Sequence, residues 1–342
     1  MAFSWPSVLG PLSEGTDIGE DQAHAAMSEI MAGEASPAQV AAFIVALRAK
    51  GETVDEMVGL VSAMYDVAVT VDIGVPVVDT AGTGGDGSGT FNISTTAAFI
   101  AAGAGAKVAK HGNRAASSRT GSADVLEELG ISLELEPEQV ATMVREAGFG
   151  FFFAPQYHPA MRFAGPVRKE LGIPTVFNFL GPLANPARAR RQVIGVADRG
   201  MAERMIGVLQ RLGSEMALVF YGNDGLDELT TVGTSSIYRL KDGVVTHAEF
   251  TPADFGVAPA SSGDFAGGEA AENAAILRAV LGGETGPKRD IAVINAAAAI
   301  VAAGLADGFA DGIASAAESI DSGHASAVLE ASIRMSGEFV GN

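Results

Sequence analysis

Val77-Val78-Asp79-Thr80-Ala81-Gly82-Thr83-Gly84-Gly85-Asp86-Gly87 is a short β-branched run that breaks into glycine, and its reading decides the fold. Val77 to Asp79 predicts a strand, and the glycines predict a tight loop opening onto a helix. Such a loop brings backbone N–H groups close to a ligand, and the following helix N-terminus favours anions. The segment lacks the Gly-x-Gly-x-x-Gly spacing of a dinucleotide fold and the Lys-Ser/Thr of a Walker loop. Phosphate binding and a plain connecting loop both stay open on this stretch alone. Downstream, Lys107 to Lys110, Gly150 to Phe153, Thr175 to Phe177, Gln192 to Val196 and Met216 to Tyr221 also read as strands. Helical-period segments ending in Gly separate most of them, which predicts a mostly parallel α/β sheet. Ile237 to Leu240 and Val244 to Phe250 flank Asp242-Gly243, a hairpin signal, and the last sixty residues read as Ala-rich helices.

Upstream the pattern is helical. Ser36-Pro37-Ala38-Gln39 and Thr53-Val54-Asp55-Glu56 have the form of capping boxes, each leading into apolar residues at helical spacing. A helix over Glu20 to Met31 stops at Gly33. Three short helices make a bundle that is marginal alone, so it is expected to pack on another domain or on a second copy of itself. The expected division is a small helical domain over 1–72, joined by the helical segment 158–187, and a large α/β domain over 73–342.

Composition narrows the function classes. The chain has 342 residues and a net charge of −19. That balance argues against non-specific binding to nucleic acid or to anionic membranes. Cysteine is absent, so disulfides, thiol nucleophiles and cysteine metal sites are excluded. No Lys or Arg precedes Arg48, so a signal peptide's basic start is lacking. The longest apolar run, Ile291 to Ala306, is interrupted by Asn295 and is too short to span a bilayer. A cytoplasmic protein is expected. Glycine makes up 43 of 342 residues, about 13% against an average near 7%.

Four further segments carry candidate chemistry. Thr90-Phe91-Asn92-Ile93-Ser94-Thr95-Thr96 places more hydrogen-bonding side chains at a helix start than a cap needs. Lys110-His111-Gly112-Asn113-Arg114-Ala115-Ala116-Ser117-Ser118-Arg119-Thr120-Gly121-Ser122 follows a strand and gathers cations, hydroxyls and glycine in an otherwise acidic chain. A phosphate-rich ligand needs that combination. Asp227-Glu228, on a loop after a strand, offers oxygen ligands for Mg²⁺, although a solvated acidic turn has the same residues. Arg168 lies on an expected helix after His158-Pro159-Ala160-Met161-Arg162; on the residues alone it reads as a helix-surface arginine that could fork onto a carboxylate. No catalytic triad, His-rich metal motif or nucleophile elbow is visible. The chemistry is therefore expected to rest on positioning and electrostatics, with no acid or base residue assigned.

Taken together, these motifs resemble the anthranilate phosphoribosyltransferase family over nearly the whole chain. Gly82-Thr83-Gly84-Gly85-Asp86, Asn92-Ile93-Ser94-Thr95, Lys110-His111-Gly112-Asn113-Arg114, Gly121-Ser122-Ala123-Asp124, Phe177-Asn178-Phe179-Leu180-Gly181-Pro182-Leu183-Ala184-Asn185-Pro186 and Asp224-Gly225-Leu226-Asp227-Glu228 occur in the family's order and spacing. The resemblance implies the nucleoside phosphorylase/phosphoribosyltransferase class of fold, a small helical domain plus a large α/β domain, usually a homodimer through the helical domains. It implies transfer of a phosphoribosyl group from phosphoribosyl pyrophosphate to the amino group of anthranilate, with Mg²⁺ at two ions per subunit. By the same resemblance Gly82, Gly85, Asp86, Thr90, Asn92, Ser94, Thr95, Lys110, Asn113, Ser118 and Ser122 meet the donor. Ser94, Asp227 and Glu228 bind metal, and Gly82, Asn113 and Arg168 meet anthranilate, with Arg168 on its carboxylate. Lys110, Asn113 and Arg168 are the positioning residues expected for catalysis. Two departures stand out: family members often have Arg at Pro174 and His at Tyr221, which bears on the hinge near the acceptor. The alternatives are a pyrimidine nucleoside phosphorylase and a non-catalytic nucleic-acid-binding relative of the same fold. The intact donor motifs and acidic charge favour neither.

Overall fold

The structure, a computed structural model, describes residues 3–115 and 119–341. The chain opens with helices α1 (Trp5–Ser13), α2 (Glu20–Ala32), α3 (Pro37–Lys50) and α4 (Val54–Val67). Both expected capping boxes form. Ser36 and Gln39 exchange side-chain and backbone hydrogen bonds, as do Thr53 and Glu56. Gly33 ends α2 in the left-handed conformation at φ 79°. The sequence reading has three helices here and the structure has four. The extra one, α1, starts at Ser4-Trp5-Pro6, with Pro in its first turn, and buries Trp5, Val8 and Leu12.

The sheet has seven strands in the order β3-β2-β1-β4-β5-β6-β7. They are β1 (Val78–Gly82), β2 (Val108–Gly112), β3 (Phe149–Phe153), β4 (Arg191–Gly195), β5 (Met216–Gly222), β6 (Ser235–Lys241) and β7 (Val244–Phe250). The first five are mutually parallel and the last two add antiparallel. Asp242 and Gly243 both have positive φ, 51° and 77°, as a two-residue hairpin turn of the I′ kind requires. The connections are α5 (Ile93–Gly103), then α6 (Ser122–Glu128) and α7 (Pro137–Glu146). After β3 come α8 (Ala154–Tyr157), a 3₁₀ turn (Pro159–Phe163), α9 (Gly165–Leu171) and α10 (Phe177–Leu183). Helix α11 (Arg199–Arg211) links β4 to β5. The chain ends with α12 (Ala270–Leu281), α13 (Pro287–Ala303), α14 (Phe309–Asp321) and α15 (His324–Gly341). The expected strand over Thr175 to Phe177 is not formed. No strand of the sheet pairs with these residues, and Thr175 N–H is bonded to Asn178 Oδ1, at the start of α10.

Alternation along the strands splits the core between two faces. On β5, Met216, Leu218 and Phe220 join the layer under α5 and α12–α15, while Ala217, Val219 and Tyr221 join the layer under α11. The second layer continues into α1–α4 and into residues 160–184. The helical start thus buries its apolar side against the sheet and not only against itself. Ion pairs of Arg211 with Glu20 and Asp55 tie α11 to that bundle. Among the described residues no helix is long and apolar enough to cross a membrane.

The chain runs outward from β1 to β2 and β3, then returns to place β4 on the other side of β1. Ligands of open α/β sheets bind beyond the carboxyl ends of the strands at such a switch point.

Candidate active site

A cavity of about 660 Å³ opens at that switch point. Strands β1, β2, β4 and β5 all end in glycine, at Gly82, Gly112, Gly195 and Gly222, of which Gly82 and Gly112 line the cavity. A Cβ on Gly82 would stand 2.6 Å from Asp227 Oδ2, and one on Gly195 would collide with the Asp227 backbone carbonyl. The strand-end glycines therefore let the loop after β5 lie flat against the ends of β1 and β4. The loop after β1 needs glycine for a different reason: Gly84, Gly85, Gly87 and Gly89 have φ between 64° and 80°. Thr83 N–H bonds Gly195 O at 2.9 Å, which fixes where this loop begins.

The loop after β5 carries the two adjacent carboxylates. Asp227 Oδ2 accepts from Gly84 N–H at 2.7 Å, and Glu228 Oε1 accepts from Ser94 N–H, in the first turn of α5, at 3.0 Å. Burial, and then the charge of Asp86, raise Asp227 to about 7. Burial, and then Asp227, raise Glu228 well above the carboxylate range. Carboxyl groups are thus crowded on one cavity wall, where burial and mutual repulsion oppose their ionisation unless a cation offsets it, and the oxygens there are carboxyl and hydroxyl. That donor set fits a hard divalent cation such as Mg²⁺. Among the described residues no three His, Asp or Glu side chains could hold a metal by themselves. A divalent cation placed here would need further oxygen ligands from outside the protein.

Lys110 supplies the nearest positive charge, but not from a loop over the ligand. It lies on β2, is 2% exposed, and its ammonium donates to Thr80 O, with Thr80 Oγ1 and Ser94 Oγ each at 3.4 Å. Burial lowers its pKa, while Asp79, Glu228 and Asp227 oppose that shift. Arg114 is also not free for a ligand. Its guanidinium pairs with Glu127 and Asp124. Asp124 in turn accepts from Gly121 N–H at 2.8 Å and Ala115 N–H at 3.1 Å, which closes the basic loop onto α6. Of the loop's three cations, Arg119 stands on the cavity wall with neither a hydrogen bond nor an ion pair among the described residues, whereas Lys110 is engaged by Thr80 and Ser94 and Arg114 by two carboxylates.

Every expected site residue that is described lines this one cavity: Gly82, Gly85, Asp86, Thr90, Asn92, Ser94, Thr95, Lys110, Asn113, Ser122, Arg168, Asp227 and Glu228. Ser118 lies outside the described residues. Asn92 sits at the N-cap position of α5 but does not cap it. Its amide instead donates to Thr120 O at 3.4 Å and accepts from Asn273 Nδ2 at 2.9 Å. The opposite wall holds Arg168 of α9, half-buried, with its guanidinium 5.0 Å from the Phe177 ring. Its half-burial on the cavity wall, against an aromatic ring, departs from the helix-surface reading of Arg168, and no acidic group among the described residues pairs with it. Met64, Pro155, Met161 and Pro182 make that wall apolar. His111 is on the wall too, with Nδ1 3.1 Å from Gly181 O and its ring 5.1 Å from that of His158. Burial, and then His158, lower His111 to about 3, so it stays neutral near pH 7. Neither Pro174, which is exposed, nor Tyr221, which is buried under α11, is on the wall.

Sequence reasoning missed Asn273, Met64 and Gly267-Gly268, which line the cavity from distant segments. Asn273 carried one legible signal, a polar residue on the buried side of an Ala-rich helix.

Comparison with known proteins adds to this geometry. The family described as "Glycosyl transferase family, a/b domain" matches residues 74–326, and "Glycosyl transferase family, helical bundle domain" matches residues 6–68. An anthranilate phosphoribosyltransferase of Roseiflexus sp. (strain RS-1) is 55% identical over 324 residues, 94% of this chain and 95% of the relative. The crystal structure of anthranilate phosphoribosyltransferase from Thermus thermophilus superposes with a TM-score of 0.91 at 42% identity, covering 96% of this chain and 99% of that one. The Saccharomyces cerevisiae enzyme, solved in complex with PRPP and Mg, superposes at 0.89 with 29% identity, covering 98% of each chain.

Proposed function

We infer the reaction from two premises: the chain belongs to the anthranilate phosphoribosyltransferase family, and its site has the shape and charge that this chemistry needs. The protein is a glycosyltransferase of tryptophan biosynthesis. It transfers the phosphoribosyl group of phosphoribosyl pyrophosphate to the amino group of anthranilate, releasing pyrophosphate. Nucleoside phosphorolysis and nucleic-acid binding are set aside by the family match. One observation carries the site assignment: a single cavity joins a glycine-and-carboxylate wall to an apolar wall holding an arginine without an acidic partner among the described residues.

The residues divide the work as follows. The loop Gly82–Gly89 and the first turn of α5 present backbone N–H groups and hydroxyls to the diphosphate. Asp227, Glu228 and Ser94 would hold Mg²⁺, for which we propose two ions per subunit. Bound there, Mg²⁺ supplies charge neutralisation for the departing pyrophosphate. Lys110 holds Thr80 and Ser94 from beneath, so it positions the wall and keeps the carboxylates from standing alone. Arg168 takes the carboxylate of anthranilate, and the apolar wall takes its ring. The C1–O bond to pyrophosphate breaks, the N–C1 bond forms, and the amine loses one proton. An aromatic amine is largely unprotonated near pH 7, so no strong base is required; His111, held neutral by burial, is a poor one.

We further propose the division into units 1–72 with 158–187 and 73–342, supported by the apolar layer those helices share. Closure of the units over the cavity would exclude water that competes for the sugar. A homodimer through the helical unit is supported by the exposed Val45 and Val67 on α3 and α4. A cytoplasmic location is supported by the cysteine-free composition. The function is tested by mass spectrometry of the products. N-(5-phosphoribosyl)anthranilate and pyrophosphate in equal amounts are expected. Phosphorolysis of a pyrimidine nucleoside without anthranilate turnover would overturn it.

A further inference from the structure

The polar residue that interrupts the apolar run of α13 has no part in the account above. Asn295 is 3% exposed, and its neighbours from Ile291 to Ala302 are all buried aliphatic residues. A buried amide is costly unless its hydrogen-bonding capacity is used. Here both ends of the amide are engaged. Asn295 Oδ1 accepts from Leu229 N–H at 2.9 Å, and Nδ2 donates to Leu229 O and to Ile291 O, each at 2.9 Å.

The two bonds to Leu229 are the pair that an adjacent strand would make. Leu229 belongs to no strand, its side chain is fully buried, and its backbone has no other partner among the described residues. Leu229 follows directly on Glu228. Its peptide is therefore the point at which the carboxylate loop is anchored to the helical layer behind the sheet. From that anchor the loop reaches forward to Gly84 N–H through Asp227 and to Ser94 N–H through Glu228.

We propose that Asn295 is a positioning residue, which through both backbone groups of Leu229 sets where the Asp227 and Glu228 carboxylates stand for the divalent cation. This rests on the metal reading of those carboxylates given above. Groups that orient metal ligands typically change metal affinity roughly 10- to 100-fold when removed.

The test uses the full chain and binding as well as turnover. Asn295→Ser removes the reach, and Asn295→Asp keeps the shape but replaces both donors. In calorimetry with phosphoribosyl pyrophosphate and Mg²⁺, both are expected to weaken donor binding roughly 10- to 100-fold. Raising Mg²⁺ should recover part of the loss, and the KM for anthranilate should stay nearly unchanged. A lowered Tm with donor affinity unchanged would assign Asn295 to stability alone and overturn the proposal. The Asp227→Asn/Glu228→Gln double variant separates the two layers of inference. If it binds donor and Mg²⁺ as the wild type does, the metal reading fails and the proposal with it. If it weakens binding while the Asn295 variants do not, only the positioning role fails. Should the variants not fold, hydrogen exchange on the wild type decides: a Leu229 amide as protected as the β5 amides is expected, and exchange at the rate of an open loop overturns the proposal.

Discussion

Replacing Gly195 by alanine perturbs the carboxylate wall without touching any charged group. Gly195 ends β4 and is not in the left-handed region, so alanine adds no backbone strain there. The added Cβ would stand 2.6 Å from the Asp227 carbonyl carbon, and its carbonyl oxygen would be nearer still. Carbon atoms rest at about 3.5 Å or more, and the oxygen is the closer of the two, so one side must withdraw by more than about 1 Å. Strand β4 cannot, because it is paired along its length with β1 and β5. The Asp227-Glu228 loop moves instead, and its bonds to Gly84 and Ser94 go with it. A misplacement of about 1 Å at a reacting centre can cost roughly 100-fold in rate, or about 2.7 kcal/mol of barrier. Overpacking also costs about 1–3 kcal/mol of stability, so the variant is assayed well below its melting temperature. The assay follows loss of anthranilate fluorescence at varied phosphoribosyl pyrophosphate and Mg²⁺. A fall of about 100-fold in kcat/KM for the donor is expected. A folded variant with wild-type kcat/KM would refute the claim that the glycine fixes the carboxylates.

Three other outcomes follow from the same geometry. Arg168→Ala removes a charge-assisted pair worth about 1.5–3 kcal/mol, so KM for anthranilate rises roughly 10- to 100-fold with donor affinity kept; equal loss for both substrates argues against a carboxylate clamp. Asp227→Asn with Glu228→Gln raises the Mg²⁺ concentration needed for half-maximal rate and slows turnover; unchanged kinetics at limiting Mg²⁺ would sink the metal assignment. Asp79, buried behind Lys110, is raised by burial to about 6, against the His111 N–H that bonds it at 3.1 Å. An acid with a raised folded pKa stays protonated in the native state while the unfolded chain has ionised. Its contribution therefore falls as pH rises from about 4 to 6. Asp79→Asn should gain Tm relative to wild type across that window and lose the gain at lower pH; a difference independent of pH would contradict the burial argument.

Much of this was legible because the responsible forces are local. Ser36-x-x-Gln39, Thr53-x-x-Glu56 and Asp242-Gly243 act within one turn of chain, and all three form as read. Glycine clustered after Asp79 marked one wall of the cavity for the same reason. What failed depended on neighbours distant in sequence. Thr175 to Phe177 has strand composition but no strand beside it, so Asn178 draws it into a helix. Lys110 and Arg114 read as a basic loop, yet one is buried under Thr80 and the other is held by Glu127, which no spacing rule reveals. Asn295 was visible as an interruption, but its partner Leu229 is known only from the fold. Around the cavity the glycines have two causes, positive φ after β1 and bare strand ends beneath the Asp227 loop; many others, such as Gly33, end helices elsewhere in the chain.

The central claim is that one cavity brings phosphoribosyl pyrophosphate, Mg²⁺ and anthranilate together for transfer. Anthranilate fluorescence, recorded on mixing the purified protein with all three, tests it most directly. The expected result is loss of signal in step with donor consumed, abolished by a chelator and restored by added Mg²⁺. A folded protein that leaves anthranilate untouched with all three present would contradict the account.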